Sequence, residues 1–339
     1  MFNEILINRY NLIHNVEQVK LKNPKSLICA MVKANAYGVG LKEVVKTIEG
    51  LVDYFGVACF FEAKKVRKYT KKNILIVGAL EYKKINPDFS YTCNSLEDVK
   101  YLASLNKKIK IHIKINTGMN RYGINDTKEF KEMLNIIKDS SLQLEGVFTH
   151  FATTDEYVFC QMKKFNKFIN IVKKLKLKVL IHADNSFVNE KYNHNLSMVR
   201  IGFNLYNRND FEFKPVVNIR SKIVQINSIK KGDLVGYDYR FVAKQSMKIA
   251  AVPVGYADGF DLGYIGCDLN IKGYDCKVLN ICMDCFMLDI TNTDLKKGDD
   301  VYILNHINSL KMYANYINSS PYEIMTKFSN MRAERKFIN

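Results

Sequence analysis

Eight short apolar runs between residues 26 and 200 constrain the fold of this chain more than any other feature. They read SLICAMVK, YFGVACF, NILIVGA, YTC, KIKIHIKI, LEGVFT, KVLIHA and LSMVR. Most are rich in Ile and Val and have the length of a buried strand. Helical patterns lie between most of them: KEVVKTIEGL, EAKKVRKYT, LEDVKYLASL, KEFKEMLNIIKD and QMKKFNKFINIVKKL. Ser95 ahead of Leu-Glu-Asp98 has the form of a helix N-cap with an acidic third position. Strands alternating with helices imply parallel strands and right-handed crossovers. Eight such units fit a closed (β/α)8 barrel.

The pattern changes after about residue 215. VVNIRSKIVQINSI, KGDLVGYDYRFV, SMKIAAVPVG, LNIKGYDCKVLNICMDCFMLDI and GDDVYILN alternate over shorter distances, with Gly-Asp, Lys-Gly and Asn-rich turns between them. That is the grammar of antiparallel sheet. The expected fold class is therefore α/β: a TIM-type (β/α)8 barrel followed by a mainly antiparallel β domain. The expected division is 6–218 for the barrel and 219–339 for the β domain, with residues 1–5 as a candidate further strand of the latter. No internal repeat or low-complexity linker is present.

Composition narrows the function. At 339 residues and 47% apolar content the chain can bury a large core. No run of about 18 uncharged apolar residues suggests a membrane span, and MFNEILINRYNLIHN lacks the form of a signal peptide. A cytoplasmic location is expected. The net charge of +17 invites a nucleic-acid reading, but only nine of the 51 basic residues are arginine, the usual bidentate reader of phosphates and base edges. The lysines are scattered or lie on helix faces, as a solvated surface would have them. Among eight cysteines, Cys282-Met-Asp-Cys285 is a lone CxxC; Cys267 and Cys276 are irregularly spaced and no histidine is near. No metal site is expected.

Barrel active sites form at the C-terminal ends of the strands. In this chain those ends carry Lys33, in CAMVKANAYGVG; Lys114, Asn116 and Arg121; His150; Asn185 and Ser186; and Arg200 with Gly202 just beyond. Each has a plain structural alternative. Lys33 could be a strand-end lysine, His150 a satisfied core histidine, Arg200 an ion-pairing residue and Ser186 a helix cap. Their shared location favours a common site. A lysine, a histidine, two arginines and a Gly/Ser cradle suit a phosphorylated carbonyl cofactor, and pyridoxal 5′-phosphate fits: it bonds covalently to a lysine and acts as an electron sink.

VKANAYGVG, KINTGMNRYG, EGVFTHFATTDE, HADNS, MVRIGFNLY, VGYADGF, ICMDCFMLDI and PYEIMT resemble, in this order, the motifs of alanine racemases. The resemblance runs from about residue 3 to 335. It implies a pyridoxal-phosphate enzyme with two catalytic bases. Lys33 resembles the lysine that holds the cofactor and serves as one base. Tyr256 resembles the second base, on the opposite face and supplied by the partner subunit of a homodimer with composite sites. Tyr37, Ser186, Gly202, Phe203 and Tyr322 match phosphate-binding positions, and Asn185 adjoins them. Arg200 is similar to the arginine facing the pyridine nitrogen, and His150 to the histidine linking it to the tyrosine. Arg121 matches an arginine near the substrate carboxylate, and Lys114 a position often carbamylated. Met283 and Asp284 match partner-side residues of the substrate site. The implied substrate is alanine, and the implied role is D-alanine supply for peptidoglycan.

The pattern is not followed everywhere. Val39 stands where histidine is common, Asn116 where aspartate is usual, Ile201 where proline follows the arginine, Asn280 where a Gly-Arg pair ends, and Cys285 where glutamine is usual. These bear on substrate range and dimer affinity. A serine or broad-specificity racemase is the nearest alternative; the bulk of Tyr322 near the substrate methyl favours alanine. A related barrel decarboxylase gives Tyr256 no purpose, and a non-catalytic carrier of the cofactor would not need the β domain.

Overall fold

The computed structural model describes residues 2–206, 212–238 and 240–338. By compactness the chain divides into two units, one of residues 13–36 and 41–205, the other of residues 1–12, 37–40 and 206–339. Strand β1 (Glu4–Asn8) belongs to the second unit. The first contains β2 (Leu27–Met31), β3 (Tyr54–Val57), β4 (Asn73–Ile76), β5 (Ser90–Cys93), β6 (Lys110–Lys114), β7 (Gln143–Phe148), β8 (Leu180–His182) and β9 (Met198–Ile201).

These eight strands are parallel, in the order β8-β7-β6-β5-β4-β3-β2-β9. The seam between β8 and β9 has no continuous ladder. Arg200 N–H donates to the Asp184 carbonyl at 3.1 Å, and Ile181 N–H to Ser197 Oγ at 3.2 Å. Strands β3, β5 and β9 are buried at every residue, as parallel strands covered on both faces must be. The helix Thr127–Lys138 buries Phe130, Met133, Leu134 and Ile137, the i, i+3, i+4, i+7 stripe of a surface helix. Ser95 Oγ accepts from Asp98 N–H at 3.3 Å, the cap expected from sequence. One irregularity shapes the interior. Ile111 pairs with Leu144 and His112 with Gly146, so Glu145 is an extra residue in β7.

The second unit holds β10 (Val217–Lys222), β11 (Gln225–Ile229), β12 (Met247–Val252), β13 (Asp268–Ile271), β14 (Tyr274–Ile281), β15 (Phe286–Asp289), β16 (Asp300–Leu304) and β17 (Glu334–Ile338). They form two sheets, β16-β10-β1-β17 and β11-β12-β15-β14-β13. Every pairing is antiparallel except β1 with β17. VVNIRSKIVQINSI, continuous in sequence, breaks at Ile223 and Val224. Ile223 N–H bonds to Asp299, Val224 N–H to Ala251, and the chain changes sheets there. Among its described residues, KGDLVGYDYRFV makes one isolated bridge, Leu234 to Val242. Two short helices, Leu310–Tyr316 and Pro321–Lys327, start at Ser309 and Ser320 caps. Among the described residues no helix is long and apolar enough to cross a membrane. None of their His, Cys, Asp or Glu side chains form a group of three that could hold a metal ion.

Candidate active site

Lys33 lies just beyond β2, where the backbone does something no L-residue favours. Ala34, Asn35, Ala36 and Tyr37 all take left-handed dihedrals, with φ of 52°, 55°, 54° and 56°. Each such residue costs about 1–2 kcal/mol. Neighbouring contacts hold the turn. Ala36 N–H donates to the Val32 carbonyl at 2.9 Å. The Glu62 carboxylate accepts from Ala34 N–H at 2.7 Å and from Ala58 N–H at 2.8 Å. Asn35 Oδ1 accepts from Leu41 N–H at 2.9 Å. A turn overdetermined in this way fixes where the Lys33 stem leaves the barrel.

Cations gather at the same end of the barrel. Burial lowers the Lys33 amine below the ordinary lysine value; Arg121 adds to this and Glu62 opposes it. Burial pushes Lys114 down to about 7, reinforced by Arg121, Arg200 and Lys33. Its Nζ sits 5.1 Å from the Tyr122 ring centre and 5.6 Å from that of Phe148. His150 falls well below its usual value, through burial first and then the same four cations. Lys33, Lys114, Arg121 and Arg200, with His150 held neutral among them, thus form one electropositive mouth, which favours an anionic ligand.

Arg200 is buried, and most of its fork is occupied. One terminal nitrogen, Nη1, donates to His182 Nδ1 at 2.6 Å. Nη2 faces the Thr149 carbonyl at 2.8 Å, the Ala183 carbonyl at 3.0 Å and His150 Nδ1 at 3.4 Å. No group among the described residues accepts from its Nε. Beyond β9, Gly202 N–H donates to Ser186 Oγ at 3.1 Å, and Phe203 follows, buried. Asn185 caps the short helix Ser186–Lys191 by accepting from Val188 N–H at 3.2 Å.

Tyr37, Tyr256, Met283, Asp284 and Tyr322 belong to the other unit. Tyr37 is buried, its ring centre 5.2 Å from that of Tyr206 and 6.3 Å from that of Tyr322. Burial raises its hydroxyl, which stays protonated. Tyr256 opens a tight turn, Tyr256–Asp258, pinned by Asp258. That carboxylate is fully buried and accepts from Gly255 N–H at 3.0 Å and from the Arg332 guanidinium at 2.8 and 2.7 Å. Gly259 closes the turn at φ 95°, where an added Cβ would lie 2.4 Å from the Lys327 carbonyl. Tyr256 N–H donates to the Cys282 carbonyl at 3.1 Å, and Ala257 N–H to that of Met283 at 3.0 Å. The β14–β15 turn and the Tyr256 turn are therefore one piece. Tyr256 is 44% exposed and Met283 58%. Tyr256 borders an open pocket of about 430 Å³ with Leu262 and Lys327.

Sequence reasoning gathered the charged members of the barrel mouth and missed Glu62, Thr149 and His182, which position them. His182 left one signal: a polar residue inside the apolar run KVLIHA. Glu62 and Thr149 left none, since one looks like helix surface and the other acts partly through its carbonyl.

Comparison with known proteins extends this picture over the whole chain. Residues 7–210 match the family described as "Alanine racemase, N-terminal domain", and residues 216–337 the family described as "Alanine racemase, C-terminal domain". The alanine racemase of Aquifex pyrophilus is 33% identical over 99% of this chain and 97% of its own length. The crystal structure of alanine racemase from Bacillus anthracis with bound L-Ala-P superposes with a TM-score of 0.92 at 28% identity, covering 100% of this chain and 95% of that one. The alanine racemase from Bartonella henselae with covalently bound pyridoxal phosphate shares the fold, with a TM-score of 0.90 at 22% identity and complete coverage of both chains, 100% each. The chain belongs to the alanine racemase family.

Proposed function

We propose that this chain interconverts L- and D-alanine by moving the Cα proton between two bases, using pyridoxal 5′-phosphate held at Lys33. The observation that carries this reading is the barrel mouth itself: Lys33 and a buried Arg200 both act on Lys114 and His150, and the Arg200 Nε has no partner among the described residues. The residues suit such a cofactor. The cations match its phosphate and the substrate carboxylate, Arg200 Nε offers a donor for the ring nitrogen, and Gly202 with Ser186 offers a small polar cradle.

When bound, the cofactor supplies an electron sink that makes the Cα proton removable. The protein does the rest. Lys33 holds or returns the proton on one face, and Tyr256 of the partner subunit does so on the other. Two bases on opposite faces invert the centre without turning the substrate. Arg200 would donate a hydrogen bond to the ring nitrogen and would not readily give up its proton to it. His150 links Arg200 to the tyrosine. Asn185, Ser186, Gly202 and Phe203 would hold the phosphate, a role the family resemblance extends to Tyr37 and Tyr322, and Arg121 would hold the substrate carboxylate. Lys114, with an amine partly neutral at pH 7, is nucleophilic enough to take up CO2, and the resulting carbamate would steady Arg121. Met283 and Asp284 complete the substrate site from the partner. The hydrogen bonds that join the Tyr256 turn to Cys282 and Met283 support presenting Tyr256, Met283 and Asp284 together. The barrel functions expected of residues 6–218 fall to the more compact 13–36 and 41–205, because β1 pairs with β10 and residues 37–40 and 206–218 group with the β domain; we assign the partner-side functions to 219–339 and place the enzyme in the cytoplasm, supplying D-alanine for peptidoglycan.

A chiral assay of purified protein against a panel of amino acids tests the reading. Alanine should be racemised in both directions without added metal or nucleotide. Faster turnover of serine or lysine would replace alanine as the substrate; no racemisation of any amino acid would end the proposal.

A further inference from the structure

A line of buried polar side chains crosses the barrel interior behind Arg200. Arg200 Nη1 meets His182 Nδ1 at 2.6 Å, His182 Nε2 meets His112 Nδ1 at 2.9 Å, and His112 Nε2 meets Glu145 Oε2 at 3.0 Å. Both imidazoles are fully buried. The chain ends at a carboxylate that also accepts from Ser90 Oγ and lies 3.4 Å from Lys110 Nζ. Burial alone would raise the Glu145 carboxyl, but His112, Ser90 and Lys110 hold it down at about 2. Burial lowers both histidines.

The ends of the line dictate the protons within it. A guanidinium can only donate, and an ionised carboxylate can only accept. His182 Nδ1 must therefore accept from Arg200, so the His182 proton is on Nε2. That proton points to His112 Nδ1, which must accept in turn, so the His112 proton is also on Nε2 and is donated to Glu145. One arrangement satisfies every contact: two neutral imidazoles, both Nε2–H. A protonated His112 would aim a second donor at His182 and break it.

The backbone is built for this line. Glu145 is the unpaired residue of the bulge in β7, and bulges re-aim side chains that regular pleating would turn away. The next residue must be glycine: a Cβ at Gly146 would lie 2.2 Å from His112 Nδ1.

We propose that Glu145 is a positioning residue for Arg200, acting through His112 and His182. By accepting the last proton of the line it presents a lone pair at His182 Nδ1, and this locks the guanidinium so that Nε remains free. The inference rests on the proposed function for its consequence in catalysis, but not for the proton arrangement.

The test is nitrogen-15 NMR of the holoenzyme with labelled histidine, six residues in all, alongside Glu145→Gln and Glu145→Leu. The wild type should show His112 and His182 as neutral Nε2–H tautomers. Glu145→Gln, whose amide oxygen can still accept, should keep them. Glu145→Leu should lose the pure Nε2–H state at His112. It should also lower kcat about tenfold, the size expected for one lost hydrogen bond to a charged group, with KM for alanine unchanged. An Nδ1–H tautomer at His182 in the wild type would overturn the proposal whatever the variants do. So would unchanged tautomers and kcat in a folded Glu145→Leu, or a Glu145→Gln no better than Glu145→Leu. If the wild type does not racemise alanine, the functional reading fails while the tautomers still decide this inference.

Discussion

Lys114 is a lysine held where its charge is unwelcome, and this has a measurable sign. In the unfolded chain its ordinary value is 10.5; in the folded protein burial and three cations bring it to about 7. Folding therefore releases a proton between these values. Stability contributed by this group is lowest below about pH 7 and rises as pH approaches 10.5. Lys114→Met should remove that dependence. Urea midpoints of wild type and variant, in buffers freed of CO2, should show the variant's advantage largest at pH 6 to 7 and shrinking towards pH 10; a constant difference would place the amine in a normal environment. Lys33 permits a chemical test. Borohydride reduction of the holoenzyme should fix the cofactor to the peptide containing Lys33, and Lys33→Ala should leave no fixed label. A label on any other lysine would move the site. Of these residues the sequence disclosed identity and strand-end position. It did not disclose their mutual electrostatics, because Lys33, Lys114, Arg121 and Arg200 meet only when the barrel closes.

At the scale of elements, the turn after Lys33 is the clearest case of tertiary contacts overriding local preference. In Ala-Asn-Ala-Tyr only Asn35 is of a type that tolerates the left-handed region; alanine is the best right-handed helix former. The conformation is imposed by Glu62 and Asn35, through backbone N–H groups that a local reading cannot pair. Ala34→Gly should therefore stabilise the protein by about 0.5–1 kcal/mol, the relief of a left-handed alanine less the entropy of a freer unfolded chain. Turnover should fall as Lys33 gains freedom. Denaturant unfolding gives the first quantity and an alanine assay the second; a destabilised Ala34→Gly would mean the turn stores no strain. The barrel strands were legible because parallel strands buried on both faces must be nearly all apolar. The β-domain strands were harder. VVNIRSKIVQINSI alternates without interruption, and only the carbonyls of Asp299 and Ala251 decide where it changes sheets. The His182–His112–Glu145 line was illegible for the same reason: its members are brought together by barrel closure and by a bulge no propensity announces.

At the scale of the molecule, the division of labour is the main consequence of the fold. Lys33 lies in the barrel unit, and Tyr256 lies in the other on a rigid, exposed turn. If each site takes Lys33 from one chain and Tyr256 from its partner, a two-fold symmetric dimer carries two composite sites. The most direct measurement is alanine racemisation by a mixture of two inactive proteins, Lys33→Ala and Tyr256→Phe, after subunit exchange. In a mixed dimer one site collects both substitutions and the other neither. Random exchange makes about half the dimers mixed, so activity should recover to about a quarter of wild type. No recovery, with exchange demonstrated by mass-labelled subunits, would contradict a site shared between chains and put Tyr256 either beside Lys33 of its own chain or outside the reaction.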